Sequence, residues 1–85
     1  MNYTVRLDRG PQKFLDGLHG DAYARIIFAL RVLVENPRPP GVKKLKGYRD
    51  YWRIRVGDYR IIYTIQDDRL LVVVIRIGHR REVYE

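Results

Sequence analysis

Hydrophobic and polar residues alternate most clearly between positions 52 and 63. Trp52, Ile54 and Val56, then Tyr59, Ile61 and Tyr63, take every second place on either side of Gly57-Asp58. A period of two marks β-strands, and a two-residue connection with glycine first marks a type II′ hairpin. That turn sets Val56 opposite Tyr59, Arg55 opposite Arg60, Ile54 opposite Ile61 and Arg53 opposite Ile62. One face of the ribbon is then an apolar wall, and the other carries Arg53, Arg55 and Arg60. Like charges directly across a ladder destabilise it, so three guanidinium groups on one patch point to a polyanion that binds there.

The remaining pattern supplies the elements around this hairpin. Residues 2–7 alternate weakly and predict a first strand. Pro11 opens a short helix to about Leu18, since proline is tolerated in a first turn, and His19-Gly20 breaks it. His19 reads as a turn or capping residue. Asp21 is placed to cap a longer helix reaching Glu35, in which Ala22, Ile26, Ala29 and Leu33 form one stripe and Tyr23, Ile27, Leu30 and Val34 a second beside it. Two adjacent stripes make a face broad enough to cover a sheet. Asn36-Pro37 stops the helix, and Pro39-Pro40-Gly41 marks a loop. After the hairpin, Asp67-Asp68 reads as a turn into the apolar run Leu70–Ile75, which suits an interior strand. The expected fold is α+β: two N-terminal helices on one face of a four-stranded, mostly antiparallel sheet, in the order β-α-α-β-β-β, as one domain over residues 1–85. Helices on the Trp52 face would leave the arginine face open.

Composition sharpens the choice of partner. The chain has 85 residues, a hydrophobic fraction of 46% and a formal charge of +7. Residues 43–85 hold eleven basic and six acidic side chains, against six and four before them. Such a balance favours nucleic acid or another anionic partner. The absence of cysteine excludes a disulfide framework and thiol chemistry. Nothing resembles a signal peptide, and no apolar run approaches the ~20 residues of a membrane span. The expected location is the cytoplasm, with no membrane partner.

The candidate chemistry follows from these positions. Arginine suits phosphate because its planar fork makes paired, charge-assisted hydrogen bonds. A single arginine on an exposed sheet face often does no more than keep it soluble; three on one hairpin of a basic chain favour anion binding. Lys43, Lys44, Lys46 and Arg49, with Arg81, add candidate RNA-binding residues. In the tail, His79 can exchange a proton near neutral pH, Arg80 can hold charge developing on a phosphate, and Tyr84 can stack on a base. The carboxylates do not gather as a Mg²⁺ site requires, and no phosphate-binding loop, zinc spacing or serine-nucleophile turn is present. No cofactor or metal is expected. Phosphodiester cleavage without metal favours RNA, whose own 2′-hydroxyl can attack.

These residues carry a resemblance to a family. Lys44-Leu45-Lys46-Gly47, then Tyr51–Val56, Asp58–Tyr63 and Ile77–Tyr84, resemble the RelE toxins of the RelE/ParE superfamily of type II toxin–antitoxin systems. The resemblance spans nearly the whole chain and is strongest over residues 43–84. It implies a RelE-like fold and a metal-independent endoribonuclease that cleaves messenger RNA in the ribosomal A site. It also implies a co-encoded, RelB-like antitoxin, expected to be acidic, in a toxin–antitoxin hetero-oligomer. By position, Arg53 and Arg55 match two basic sites of the family's active strand and Arg60 matches the arginine of the next strand. Arg80 matches the phosphate-binding arginine of the tail, and Tyr84 the tyrosine that stacks on a base. The two strand sites are often lysine in the family, where a lysine has been assigned as base. Arginine stays protonated, so either His79 moves the proton or the site works by orienting RNA and stabilising charge. Two other readings stand beside this one: a ParE-type inhibitor of DNA gyrase, and a nucleic-acid-binding module without chemistry.

Overall fold

The computed structural model describes residues 2–47 and 50–79. The elements run β1 (Thr4–Leu7), α1 (Arg9–Asp16), α2 (Gly20–Glu35), β2 (Lys43–Lys44), β3 (Tyr51–Val56), β4 (Tyr59–Gln66), a 3₁₀ turn (Asp67–Arg69) and β5 (Leu71–His79). They build one sheet in the order β1-β5-β4-β3-β2, in which β1 runs parallel to β5 and every other pair is antiparallel. The sheet has five strands rather than the expected four, because Lys43-Lys44 adds a two-residue edge strand beside Arg53 and Trp52. Two residues are too few for any alternation to announce them.

The hairpin has the expected register throughout. Gly57 takes φ of +59° while Asp58 stays at negative φ, the combination of a type II′ turn. Both helices cover the Trp52 face. Ile26, Leu30 and Leu33 of α2 and Leu15 of α1 meet Ile54, Ile61, Tyr63, Val72, Val74 and Ile77 in the main core. Tyr23, assigned to the apolar face by its spacing, is instead exposed, as is Phe28. The cap of the second helix lies two residues earlier than expected: His19 holds the N-cap position without a side-chain bond, and Asp21 lies inside the first turn, where its charge favours the helix dipole. No helix among the described residues is long and apolar enough to cross a membrane.

One polar knot ties the end of α2 to the sheet. The Arg38 guanidinium meets the Asp67 carboxylate through both terminal nitrogens, at 3.2 and 2.9 Å, and the Tyr3 hydroxyl donates to the same carboxylate at 2.6 Å. Arg38 also lies 5.0 Å from the centre of the Trp52 ring. Nearby, the buried Tyr63 hydroxyl donates to the Pro37 carbonyl at 2.7 Å, and burial raises the Tyr63 pKa. The Asn36-Pro37-Arg38 stop is therefore also an anchor. Hydrogen bonds from Arg38 and Tyr3 hold Asp67 well below the ordinary carboxylate range, at about 2. A depressed folded-state pKa means that this stabilisation is complete above the unfolded value of about 4 and fades as pH falls toward 2. Asp67→Asn should lower the melting temperature at pH 7, modestly because the pair is exposed. The difference should narrow between pH 4 and pH 2 and shrink in high salt. A gap that is the same at pH 7 and pH 2 would show that the charge is not what matters.

Candidate functional site

Sheet register brings the basic side chains together. Residues directly opposite on neighbouring strands project from the same face, so one row runs Lys43, Arg53, Ile62 and Arg76 across four strands. A second row runs Arg55, Arg60 and Gly78. The glycine contributes no side chain to this row and is itself buried. On the outer strand, Arg6 opposes Val73, and its neighbours Val5 and Leu7 pack on the core, so Arg6 also belongs to this face. A small apolar cluster of Leu45 and Ile62, with Tyr51 and Ile75 against it, supports the arginines from within the same face.

The face is less open than the alternation implied. Arg53 is only 5% exposed, and the Nε atoms of Arg53 and Arg60 are shut off from water. Each of these guanidinium groups interacts with other groups of the chain. Arg55, by contrast, is exposed. A cleft of about 500 Å³ opens beside them, lined by residues 40–42 of the loop into β2, by Lys43 of that strand and by Arg53, Ile54 and Arg55. Positive charge at the wall of a cleft, partly withdrawn from water, attracts an anion more strongly than the same charge in free solution. Arg55 directly opposite Arg60, and Lys43 directly opposite Arg53, are repulsive pairs that a bound polyanion would relieve.

Other expected site residues fall elsewhere. Lys44 opposes Trp52 on the helix-covered side, where its Nζ is 5.7 Å from the indole centre and 3.4 Å from Asp50. Lys46 is exposed in the turn after Leu45. His79 opposes Tyr59 rather than Arg60, and the two rings meet edge-on at 5.8 Å. Tyr59 in turn meets Phe14 of α1 at 6.0 Å. His79 thus closes an aromatic row on the helix side of the sheet, away from the arginines. Arg49, Arg80, Arg81 and Tyr84 lie outside the described residues.

The reason His79 lands there is an irregularity in β5. Ile62 pairs with Arg76 but the next residue, Tyr63, pairs with Val74, so Ile75 is an extra residue in the ladder. Such a bulge reverses the in–out phase of the strand beyond it. Strict alternation from Val72 and Val74 would bury Arg76 under the helices and turn Ile77 and His79 toward the arginines. With the bulge, Ile77 enters the core, His79 joins Tyr59, and Arg76 is exposed on the arginine face. Arg76 and Arg6 were missed from sequence. The hint was Ile77, an apolar residue out of phase with Val72 and Val74.

Comparison with known proteins gives the family and the fold. Residues 7–84 match the family model described as ParE toxin of type II toxin-antitoxin system, parDE. Over 99% of this chain, the sequence is 31% identical to Toxin RelG of Mycobacterium tuberculosis, 98% of which is covered. The chain belongs to the RelE toxin family of the RelE/ParE superfamily. This toxin is also 43% identical over 44 residues to Toxin RelE3 of Methanocaldococcus jannaschii, a match that spans 48% of that protein and 52% of this one. Its fold superposes on the archaeal RelE-RelB complex from Pyrococcus horikoshii with a TM-score of 0.83 and 28% identity, over 98% of this chain and 100% of the other. The family model bears the ParE name while these relatives bear the RelE name, so the toxin class is settled at the level of the shared fold and system.

Proposed function

We propose that this toxin is a ribosome-dependent endoribonuclease that cleaves messenger RNA in the A site without a metal ion, and that a cognate antitoxin neutralises it. The observation that carries this reading is the convergence of Lys43, Arg53, Arg55 and Arg60, from three strands, on one face beside a cleft. Cleavage would proceed by attack of the 2′-oxygen on the adjacent phosphorus. The 2′-hydroxyl loses its proton, the phosphorus–5′-oxygen bond breaks, and the leaving oxygen gains a proton. The products are a 2′,3′-cyclic phosphate and a 5′-hydroxyl. Negative charge grows on the pentavalent phosphate, and fixed guanidinium groups stabilise it without having to reorganise.

Among the described residues, the strand positions on this face include no carboxylate and no histidine. Arginine cannot serve as a base at neutral pH. The face therefore works by orienting RNA and stabilising charge, with the proton passed to water or to the tail. Arg80 and Tyr84 keep the phosphate-binding and stacking roles that the family resemblance implies. His79, on the other side of the sheet, fits a role in packing the end of β5 better than one in proton transfer.

The antitoxin follows from the relatives found in RelE-RelB complexes and from an apolar groove on this chain. No described strand pairs with the outer edge of β3 beyond Arg53. Alongside that edge, Phe28, Val32, Pro39, Pro40, Ile54 and Val56 line an open groove of about 470 Å³, with Phe28 68% exposed. An antitoxin segment laid there would cover apolar surface, and acidic side chains on it would face the arginines.

Primer extension on a defined message, in a reconstituted translation system, tests the enzyme reading. The parental toxin should give cuts confined to A-site codons, only with ribosomes present, and Arg80→Ala should give none. Intact message at full toxin excess would overturn this reading and direct the next assay to gyrase supercoiling, the ParE alternative.

A further inference from the structure

We propose that Arg76 and Arg6 are RNA-binding residues, which extend the nucleic-acid site across all five strands and hold phosphates flanking the cut. This deepens the endoribonuclease reading and rests on it. With these two residues, each strand of the sheet contributes at least one basic side chain to a single face: Lys43, Arg53 with Arg55, Arg60, Arg76 and Arg6. Neighbouring strands lie about 4.8 Å apart, so the span from Lys43 to Arg6 is roughly 19 Å, wide enough for several consecutive phosphates.

An ordinary solvated sheet face mixes both signs of charge, which limits repulsion and keeps it soluble. Here the strand positions on the face are basic, apolar or neutral, with no carboxylate among the described residues. Arg76 is also placed there at a structural cost. The Ile75 bulge interrupts the β4–β5 ladder, and the same irregularity that sends Ile77 to the core brings Arg76 out beside Ile62. Arg76 and Arg6 are both exposed; Arg76 also interacts with another group of the chain, a contact that a phosphate would share or replace at the surface without disturbing the core. Arginine at both positions suits phosphate oxygens through paired hydrogen bonds. A phosphate contact positions the strand but reads no base, so these residues would strengthen binding without altering codon preference.

The test is single-turnover cleavage of message on programmed ribosomes, titrated with toxin at several salt concentrations. Arg76→Ala should raise the half-saturating concentration about tenfold, and Arg6→Ala about threefold, with saturated rates within about twofold of the parent. The log–log salt dependence should become shallower by about 0.7 for each phosphate no longer neutralised, as expected for a single strand. Arg76→Lys, which keeps the charge but not the planar fork, should fall between the parent and Arg76→Ala, and all three variants should remain folded by thermal unfolding. A message carrying one methylphosphonate at the position Arg76 holds should weaken the parental toxin but cost Arg76→Ala nothing further. Unaltered half-saturation and salt slope in both alanine variants would overturn the inference while leaving A-site cleavage intact. A saturated rate that drops with no change in half-saturation would overturn it too, since Arg76 would then act on the chemical step. If the parental toxin leaves the message uncut, the underlying reading falls and takes this extension with it.

Discussion

Arg60→Ala is expected to cleave ribosome-bound messenger RNA at about one-hundredth of the parental rate or less. Arg60 projects from the middle strand of the sheet, opposite Arg55 on one side and Gly78 on the other. Its Nε is closed off from water, so the guanidinium is held by the sheet rather than swinging in solvent. A donor fixed in this way meets developing charge without reorganisation, and removing one such donor typically costs about 10²–10³ in rate. Arg60→Lys should recover only part of the activity, because an ammonium is a point charge without the planar fork. Removing Arg60 relieves its repulsion with Arg55 but also loses the interactions Arg60 makes within the chain, so the variant should stay folded with a melting temperature within a few degrees of the parental one. Saturated single-turnover rates and thermal unfolding measure both effects. Parental cleavage by Arg60→Ala would remove the arginine face from the active site.

Deletion of Ile77 is expected to lower the stability of the toxin by several kcal/mol, whereas deletion of Ile75 is not. Val74 pairs with Tyr63 and Arg76 with Ile62, and Ile75 is the extra residue between them. Without Ile75 the ladder becomes regular and every later residue keeps its side, Arg76 on the arginine face and Ile77 in the core. Only the packing of Ile75 on the Leu45–Ile62 cluster is lost, at a cost of about 1 kcal/mol. Without Ile77 the bulge stays and the strand beyond Arg76 changes phase. Gly78 then takes the core place of Ile77, which is 5% exposed in the native sheet, and His79 is turned toward the arginines. Truncating a buried isoleucine even to alanine costs about 2–5 kcal/mol. A domain of this length holds roughly 4–13 kcal/mol in total, at about 0.05–0.15 per residue. Urea unfolding followed by circular dichroism separates the two variants. Equal stability of both would mean that the strand absorbs a deletion elsewhere and that the bulge does not set its phase.

What the sequence made legible, and what it hid, follows from how each part signals itself. The β3–β4 hairpin was readable to the residue pair, because alternation and a glycine-first turn both act over a few positions and agree with each other. The stripes of α2 were readable for the same reason, apart from Tyr23. The phase of β5 was not readable. Leu71–Ile75 is apolar without a break, and a run buried on both faces carries no period to count. That single loss moved His79 to the helix side and concealed Arg76. Arg6 was hidden differently: its face depends on a parallel pairing with a strand far along the chain. Asp67 looked sufficient as a turn residue, since nothing local reveals that Arg38 and Tyr3 converge on it. Arg53 was expected in the open and is buried, because exposure depends on what packs around a strand as well as on its phase.

The parallel pairing of β1 with β5 bears on how the toxin comes into being. Thr4 leaves the ribosome well before its partner Leu71. Contacts so distant in sequence form slowly, since a long loop must close before they contribute. Because β5 lies between β1 and β4, the nascent chain has no continuous sheet until that strand has emerged, and Arg6 and Arg76 have no common surface before then. A partly made chain can form the β3–β4 hairpin but cannot assemble the full cationic face. The protein proposed to stall translation by cutting its template thereby lacks its full cationic face until β5 has been made.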